Sequence, residues 1–174
     1  YYELPYRECQ TEDIVKRTLD IIDNSGYNEI TLSSLSISDF REIALLLNSL
    51  LPELHKRGIS ISLPSLKVAL DTLPIIKVVS GIRKTSLTFA VESASDELRK
   101  IAGKKVKRED LLYIIEKVFN EGWQVIKLYF MLGLPECETV DESQEIIDLI
   151  KEILDRKSGK RVDINVTISP FVPK

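Results

Sequence analysis

Cysteine is nearly missing: Cys9 and Cys137 are the only two among 174 residues. Two thiols are too few for a disulfide framework, so a reducing compartment, the cytoplasm, is the expected setting. Nor can they alone make a four-thiolate metal site. The one histidine, His55, lies on the polar side of a leucine-rich stretch, which gives no support to a Ser/His/Asp or Cys/His catalytic arrangement. No apolar run reaches the roughly 18 residues a membrane span needs. The opening residues YYELPYRECQ, aromatic and mixed in charge, are not a signal peptide, and they lack an initiating Met, as in a processed or cut chain. No Walker-type loop occurs, and no G-x-G-x-x-G follows a strand. Charge of one sign is also missing. Lys and Arg total 24 against 27 Asp and Glu, a net −3 that exerts no general pull on nucleic acid or an anionic membrane. The local cluster GKKVKRED reads as a solvated loop entering a helix.

What is present is ordinary globular material, with 44% hydrophobic and 29% charged residues. The length suits one domain, 1–174, with a sizeable core. Ile14, Val15, Thr18, Ile21 and Ile22 follow helical spacing up to Gly26. Asp39 and Glu42 have capping-box spacing before the stripe Ile43, Leu46, Leu47, Leu50 and Leu54. Thr139 and Glu142 have the same spacing before Ile146, Ile147, Ile150, Ile153 and Leu154. A third stripe, Leu111 to Phe119, ends at Gly122, and a helix broken near Pro74 lies before it. Between the helices run short β-branched segments at 28–33, 59–63, 85–91, 124–131 and 162–168. The segment 124–131 is the most apolar, as a central parallel strand should be. Strict alternation of helix and strand predicts an α/β fold with a parallel sheet: a barrel, a partial barrel or a doubly wound sheet. The chain starts on a helix, so a partial barrel would be incomplete at its N-terminal strand. The edge of 28–33 would then be left for self-association or for cover by Tyr1 to Cys9.

Parallel α/β folds bind ligands at the carboxyl ends of their strands. Those ends are Ser33-Ser34, Pro64-Ser65, Glu92-Ser93, Gly133-Leu134-Pro135-Glu136 and Ser169-Pro170. Ser33, Ser34 and Ser65 are equally readable as turn residues. Glu92 closes an apolar strand, and a half-buried carboxylate there needs partners. Arg99, seven residues on, is either a surface charge or part of the same site.

On these residues the chain resembles a known family. SLTFAVESASDELRKIAGK, IKLYFMLGLPECE, SLSISD, SLPSL and SPFVPK together resemble the core of radical S-adenosylmethionine enzymes, nearest to a poorly characterised iron–sulfur oxidoreductase subgroup. The resemblance runs from Tyr1 to Lys174 and implies a partial (β/α) barrel, TIM-barrel-like, with its site inside the strand ends. It places Ser33 and Ser34 near the methionine amino group and Ser65 facing the same cavity. Glu92 and Ser93 fall in the ribose-contacting motif, where a carboxylate accepts from ribose hydroxyls. Arg99 falls where a basic residue grips the methionine carboxylate. Leu132, Gly133 and Leu134 fall in the adenine-contacting segment, where glycine lets backbone approach the base.

Two features depart from the family. The segment AVESAS lacks the usual Pro and Gly, so its loop backbone is open to difference. The three-cysteine motif that holds the family's [4Fe-4S] cluster is absent; in relatives it lies a few residues before the position of Tyr1. Cys9 lies beyond it and Cys137 is on another loop, so no metal ligand is assigned and no cluster is expected here. The resemblance implies an intact parent that cleaves S-adenosylmethionine reductively to a 5′-deoxyadenosyl radical acting on an unknown substrate, often with a cobalamin-binding-like domain upstream. A methylthiotransferase modifying tRNA or a ribosomal protein is an alternative, and a redox-inert binding or scaffold domain is another.

Overall fold

The computed structural model describes residues 7–34, 37–63, 67–81 and 86–173. Ser65, together with its neighbours Pro64 and Leu66, lies outside these residues, as does most of Tyr1 to Cys9. The elements, in order, are α1 (Thr11–Ser25), β1 (Glu29–Thr31), α2 (Ile43–Lys56), β2 (Ser60–Ser62), α3 (Leu73–Val79), β3 (Leu87–Glu92), α4 (Asp96–Ile101), α5 (Arg108–Asn120), β4 (Val125–Leu132), α6 (Glu142–Asp155) and β5 (Asp163–Pro170). All five expected strands form, and every pairing is parallel. Among the described residues, β1 pairs with β2, while β3, β4 and β5 form a second sheet with β4 in the middle. This is the α/β parallel arrangement the alternation predicts, as a partial β/α fold and not a closed barrel.

The apolar stripes explain the layering. Leu47, Leu50 and Leu54 of α2 are fully buried, as are Ile115 and Val118 of α5 and Leu149 and Ile153 of α6. They share one core with Phe89 and Val91 of β3 and with Ile126, Leu128 and Phe130 of β4. The alternate residues of β4 lie on the opposite face, where Lys127 and Met131 are half-buried and Tyr129 is 43% exposed. Among the described residues, no helix is long and apolar enough to cross a membrane.

Three local expectations need correction. Glu42 does not complete a capping box with Asp39. Asp39 sits in a 3-10 turn, Ile37–Asp39, and pairs with Lys67 instead. Glu42 is itself the N-cap residue of α2, and its Oε2 accepts from Thr11 Oγ1 at 2.6 Å. At α6 the cap is Asp141, which accepts from the Gln144 N–H at 3.0 Å, and not Thr139. Pro74 does not break a helix; it sits in the first turn of α3, where a missing N–H costs nothing.

Ile115→Val should cost about 1 kcal/mol of unfolding free energy, because a fully buried methylene leaves a void. The same change at Ile147, which is 48% exposed, should stay within about 0.5 kcal/mol. Urea denaturation of the two variants checks the difference, and equal losses would contradict the assigned layering.

Candidate functional site

The strand β3 ends abnormally. Its register with β4 shifts between Ala90 and Glu92, which marks a bulge. Glu92 then adopts φ 71, a left-handed conformation that a side chain other than glycine's takes up at a cost of order 1–3 kcal/mol. That turn leaves the Glu92 side chain 22% exposed, with Oε1 3.4 Å from Lys104 Nζ. Such a partly exposed pair contributes no more than about 1 kcal/mol, so the carboxylate is not locked to its partner.

The residues after Glu92 are held rigidly. Ser93 is 3% exposed, and its Oγ accepts from the Ser95 N–H at 3.2 Å. Ser95 caps α4 by accepting from the Leu98 N–H at 3.5 Å. Arg99 is fully buried, and it holds the turn from inside. Its Nη1 donates to the carbonyls of Ser93 at 2.7 Å and Ala94 at 3.0 Å, and Nε donates to Val106 O at 3.1 Å. Its Nη2 donates to Asp96 Oδ1, so four of the five guanidinium N–H groups are spent within 93–106. Burial lowers the pKa of Arg99 from its ordinary value, and Asp96 acts in the opposite direction.

Asp96 extends the network, because its Oδ1 also accepts from the Arg108 N–H at 2.9 Å. Arg108 in turn forks onto Glu152 at 3.0 and 3.1 Å and reaches Glu145 at 2.8 Å. Desolvation would lower the Arg108 pKa, but Glu152 and Glu145 outweigh it, and the pKa is raised. The β3 end is thereby tied to α6, which follows the β4 end. Arg99 therefore does not stand at the rim to grip a methionine carboxylate: it is a buried staple for the loop that carries Glu92 and Ser93.

On β4, Leu132 is half-buried, and its carbonyl accepts from the Phe171 N–H at 2.8 Å. Gly133 follows with φ 79, and a Cβ there would meet nothing within 4 Å. The glycine is thus required by backbone conformation and not by a neighbouring group. Its N–H donates to Glu142 Oε1 at 2.8 Å. The other oxygen of Glu142 is buried with no hydrogen-bond partner. Leu134 is 2% exposed, and its carbonyl accepts from the Cys137 N–H at 3.2 Å. Glu92 is in register with Phe130, so Glu92-Ser93 and Leu132-Gly133 stand at adjacent strand ends. Ser33 and Ser34 are exposed beyond β1, in the other strand pair. A shallow cleft of about 490 Å³ lies beside the rim, between Ser95–Glu97 and Asp141–Glu145, and none of the sequence-predicted site residues lines it. Sequence reasoning missed Lys104, Asp96, Arg108 and Glu142. The only signal for the first and third was the basic cluster itself, and nothing local marked the others.

Comparison with known proteins agrees with this architecture. The radical SAM superfamily model matches residues 2–150. An uncharacterised protein of Methanocaldococcus jannaschii is 30% identical over 176 residues, covering 100% of this chain and 36% of that protein. The chain belongs to the radical SAM superfamily, and it spans about a third of the length of that relative. The family generally works with S-adenosylmethionine and a [4Fe-4S] cluster.

The two cysteines of this chain do not supply a three-thiolate set for the cluster. Among the described residues, no group of three or more His, Cys, Asp or Glu side chains is placed to hold a metal. Cys9 is exposed, and Cys137 lies in the turn after β4. The Cys137 thiol is pushed up, first by desolvation and then by Glu142 and Glu138, away from the thiolate a metal would need. At the adjacent strand ends stand a carboxylate acceptor, Glu92, and a glycine with no group near its Cβ position, Gly133, a donor set suited in chemistry to a ribose and an adenine edge.

Arg99→Lys should not rescue the staple, since an ammonium cannot reach three carbonyls and a carboxylate from one plane. The expected loss is about 2–4 kcal/mol, from backbone acceptors left buried and unpaired. Urea unfolding measures it, and limited proteolysis within 93–106 should speed up in the same variant. Unchanged stability would remove the staple role.

Proposed function

We propose that this chain is the S-adenosylmethionine-binding core of a radical enzyme. The whole protein would cleave the cofactor reductively to methionine and a 5′-deoxyadenosyl radical, which takes hydrogen from a substrate. The observation that carries the reading is Glu92, held at positive φ on a bulge at the end of β3, next to the β4 end at Gly133. Strain of this kind persists only where the surroundings impose it, and it concentrates at binding sites.

Each residue then has a physical task. Glu92 accepts hydrogen bonds from the ribose hydroxyls, and its weak pair with Lys104 yields to them. Ser93 keeps the loop backbone fixed beneath the ribose. Leu132 and Leu134 supply apolar contact for the adenine, and Gly133 opens the backbone beside it. Ser33 and Ser34 serve the methionine end. Arg99 acts through Ser93 and Ala94, as a positioning residue. The electron for the sulfonium must come from a centre that these residues do not build.

A second reading is a redox-inert binding or scaffold domain that keeps the nucleoside rim. Two measurements bear on both readings. After anaerobic reconstitution with iron and sulfide, the purified chain should carry well under one cluster per molecule; a stoichiometric, site-differentiated cluster spectrum would refute the account of its ligands. Equilibrium dialysis with labelled S-adenosylmethionine should show weak, saturable binding, weakened about tenfold or more in Glu92→Ala with far-UV circular dichroism unchanged. Equal binding by the variant, or none by either protein, would overturn the assignment of the rim.

A further inference from the structure

The face of the second sheet opposite the helices is a polar track. Register sets it out in rows: Thr88, Lys127 and Asn165; then Ala90, Tyr129 and Thr167; then Met131 and Ser169. Successive rows are about 6.6 Å apart, at about 3.3 Å per residue, and Lys127 lies about 16 Å along β4 from the strand end at Leu132. The strand β4 has a neighbour on both sides, and in a parallel sheet such a strand is normally apolar on both faces. Lysine is depleted in strands generally.

Lys127 is half-buried there, and no described residue hydrogen-bonds to or ion-pairs with it. Of the acids on these three strands, Glu92 is with Lys104, and Asp163 stands in register with Val125, one row further down. Flanking Lys127 are a hydroxyl and an amide, which donate hydrogen bonds without adding charge. A partly desolvated ammonium set between two neutral donors is the chemistry of an anion seat.

We infer that this face is the substrate track and that the substrate is elongated, with a carboxylate or phosphate seated on Lys127, Thr88 and Asn165. The inference rests on the strand-end reading above, which puts the reacting carbon near Leu132 and Gly133, about 16 Å along the strand from the Lys127 backbone. Tyr129 and Thr167 line the middle of the track.

The test uses the purified chain, labelled with ¹⁵N and titrated separately with sodium acetate and with sodium phosphate, each against sodium chloride at equal ionic strength. Amide shifts at Thr88, Lys127 and Asn165 should saturate with acetate or phosphate and not with chloride; which anion saturates first distinguishes the two groups. Lys127→Met should weaken that binding about tenfold or more, and Lys127→Arg should retain most of it. Shifts that chloride reproduces, or unchanged binding in Lys127→Met with Lys127→Arg folded like the wild type, would overturn the inference. Binding of S-adenosylmethionine should be the same in wild type and Lys127→Met. Loss of it in that variant would assign Lys127 to the cofactor and overturn the substrate track alone. A Lys127-dependent anion seat in a chain that binds no S-adenosylmethionine would uphold the seat and defeat the strand-end reading.

Discussion

The buried guanidinium of Arg99 sets the geometry of the whole β3 rim. A chain leaving a parallel strand and entering a six-residue helix has carbonyls pointing inward that neither element can satisfy. Arg99 meets those of Ser93, Ala94 and Val106 from one plane, and Asp96 balances its charge. A lysine or an apolar side chain at the same position would leave two or more of these acceptors dry. With the loop so held, the bulge before Glu92 is maintained, and the carboxylate stays at the strand end. The link through Asp96 to Arg108, and through Arg108 to Glu145 and Glu152, carries that constraint to α6.

The second constraint is the period of two along the strands. On β4 it sends Ile126, Leu128 and Phe130 into the core, and Lys127, Tyr129 and Met131 to the other face. A one-residue slip would bury the ammonium and expose the aromatic ring, so register here is strongly specified. The same alternation gives β5 its row of Asn165, Thr167 and Ser169 beside them. One physical rule therefore builds both the core and the polar face, without any element devoted to either alone.

This explains what the sequence disclosed and what it hid. Strands and helical stripes were legible, because periodicity is written locally: ISISL and QVIKLYFM are read without knowing their neighbours. Strand ends were legible for the same reason, which is how Glu92 and Gly133 were found. Partners were not. Asp39 and Glu42 have the spacing of a capping box, yet Lys67 and Thr11, distant in sequence, take their carboxylates. Thr139 and Glu142 fail likewise, since Asp141 caps the helix and Glu142 turns back to Gly133. Arg99 was misread because an arginine after a strand-end glutamate suggests a ligand. Only folding shows that the loop's own carbonyls and Asp96 take four of its five donors.

Two different electrostatic strategies coexist within one sheet. At the rim, charges are paired inside the protein: Arg99 with Asp96, Arg108 with Glu145 and Glu152, Lys104 with Glu92. These pairs differ in how tightly they are held. Arg99 is fully buried, and losing its partner would strand a charge in a dry place. The Lys104–Glu92 pair is partly wet and exchanges easily for other hydrogen bonds. Glu92 differs from the other acids of these pairs in standing at the end of β3, on a backbone already strained into place, with a single 3.4 Å ion pair. Deeper along β4, among the described residues, Lys127 has no ion pair, and its register neighbours Thr88 and Asn165 are neutral. A network that satisfies its own charges where shape must be kept, and withholds a partner where it need not be, leaves charge complementarity for whatever enters from outside.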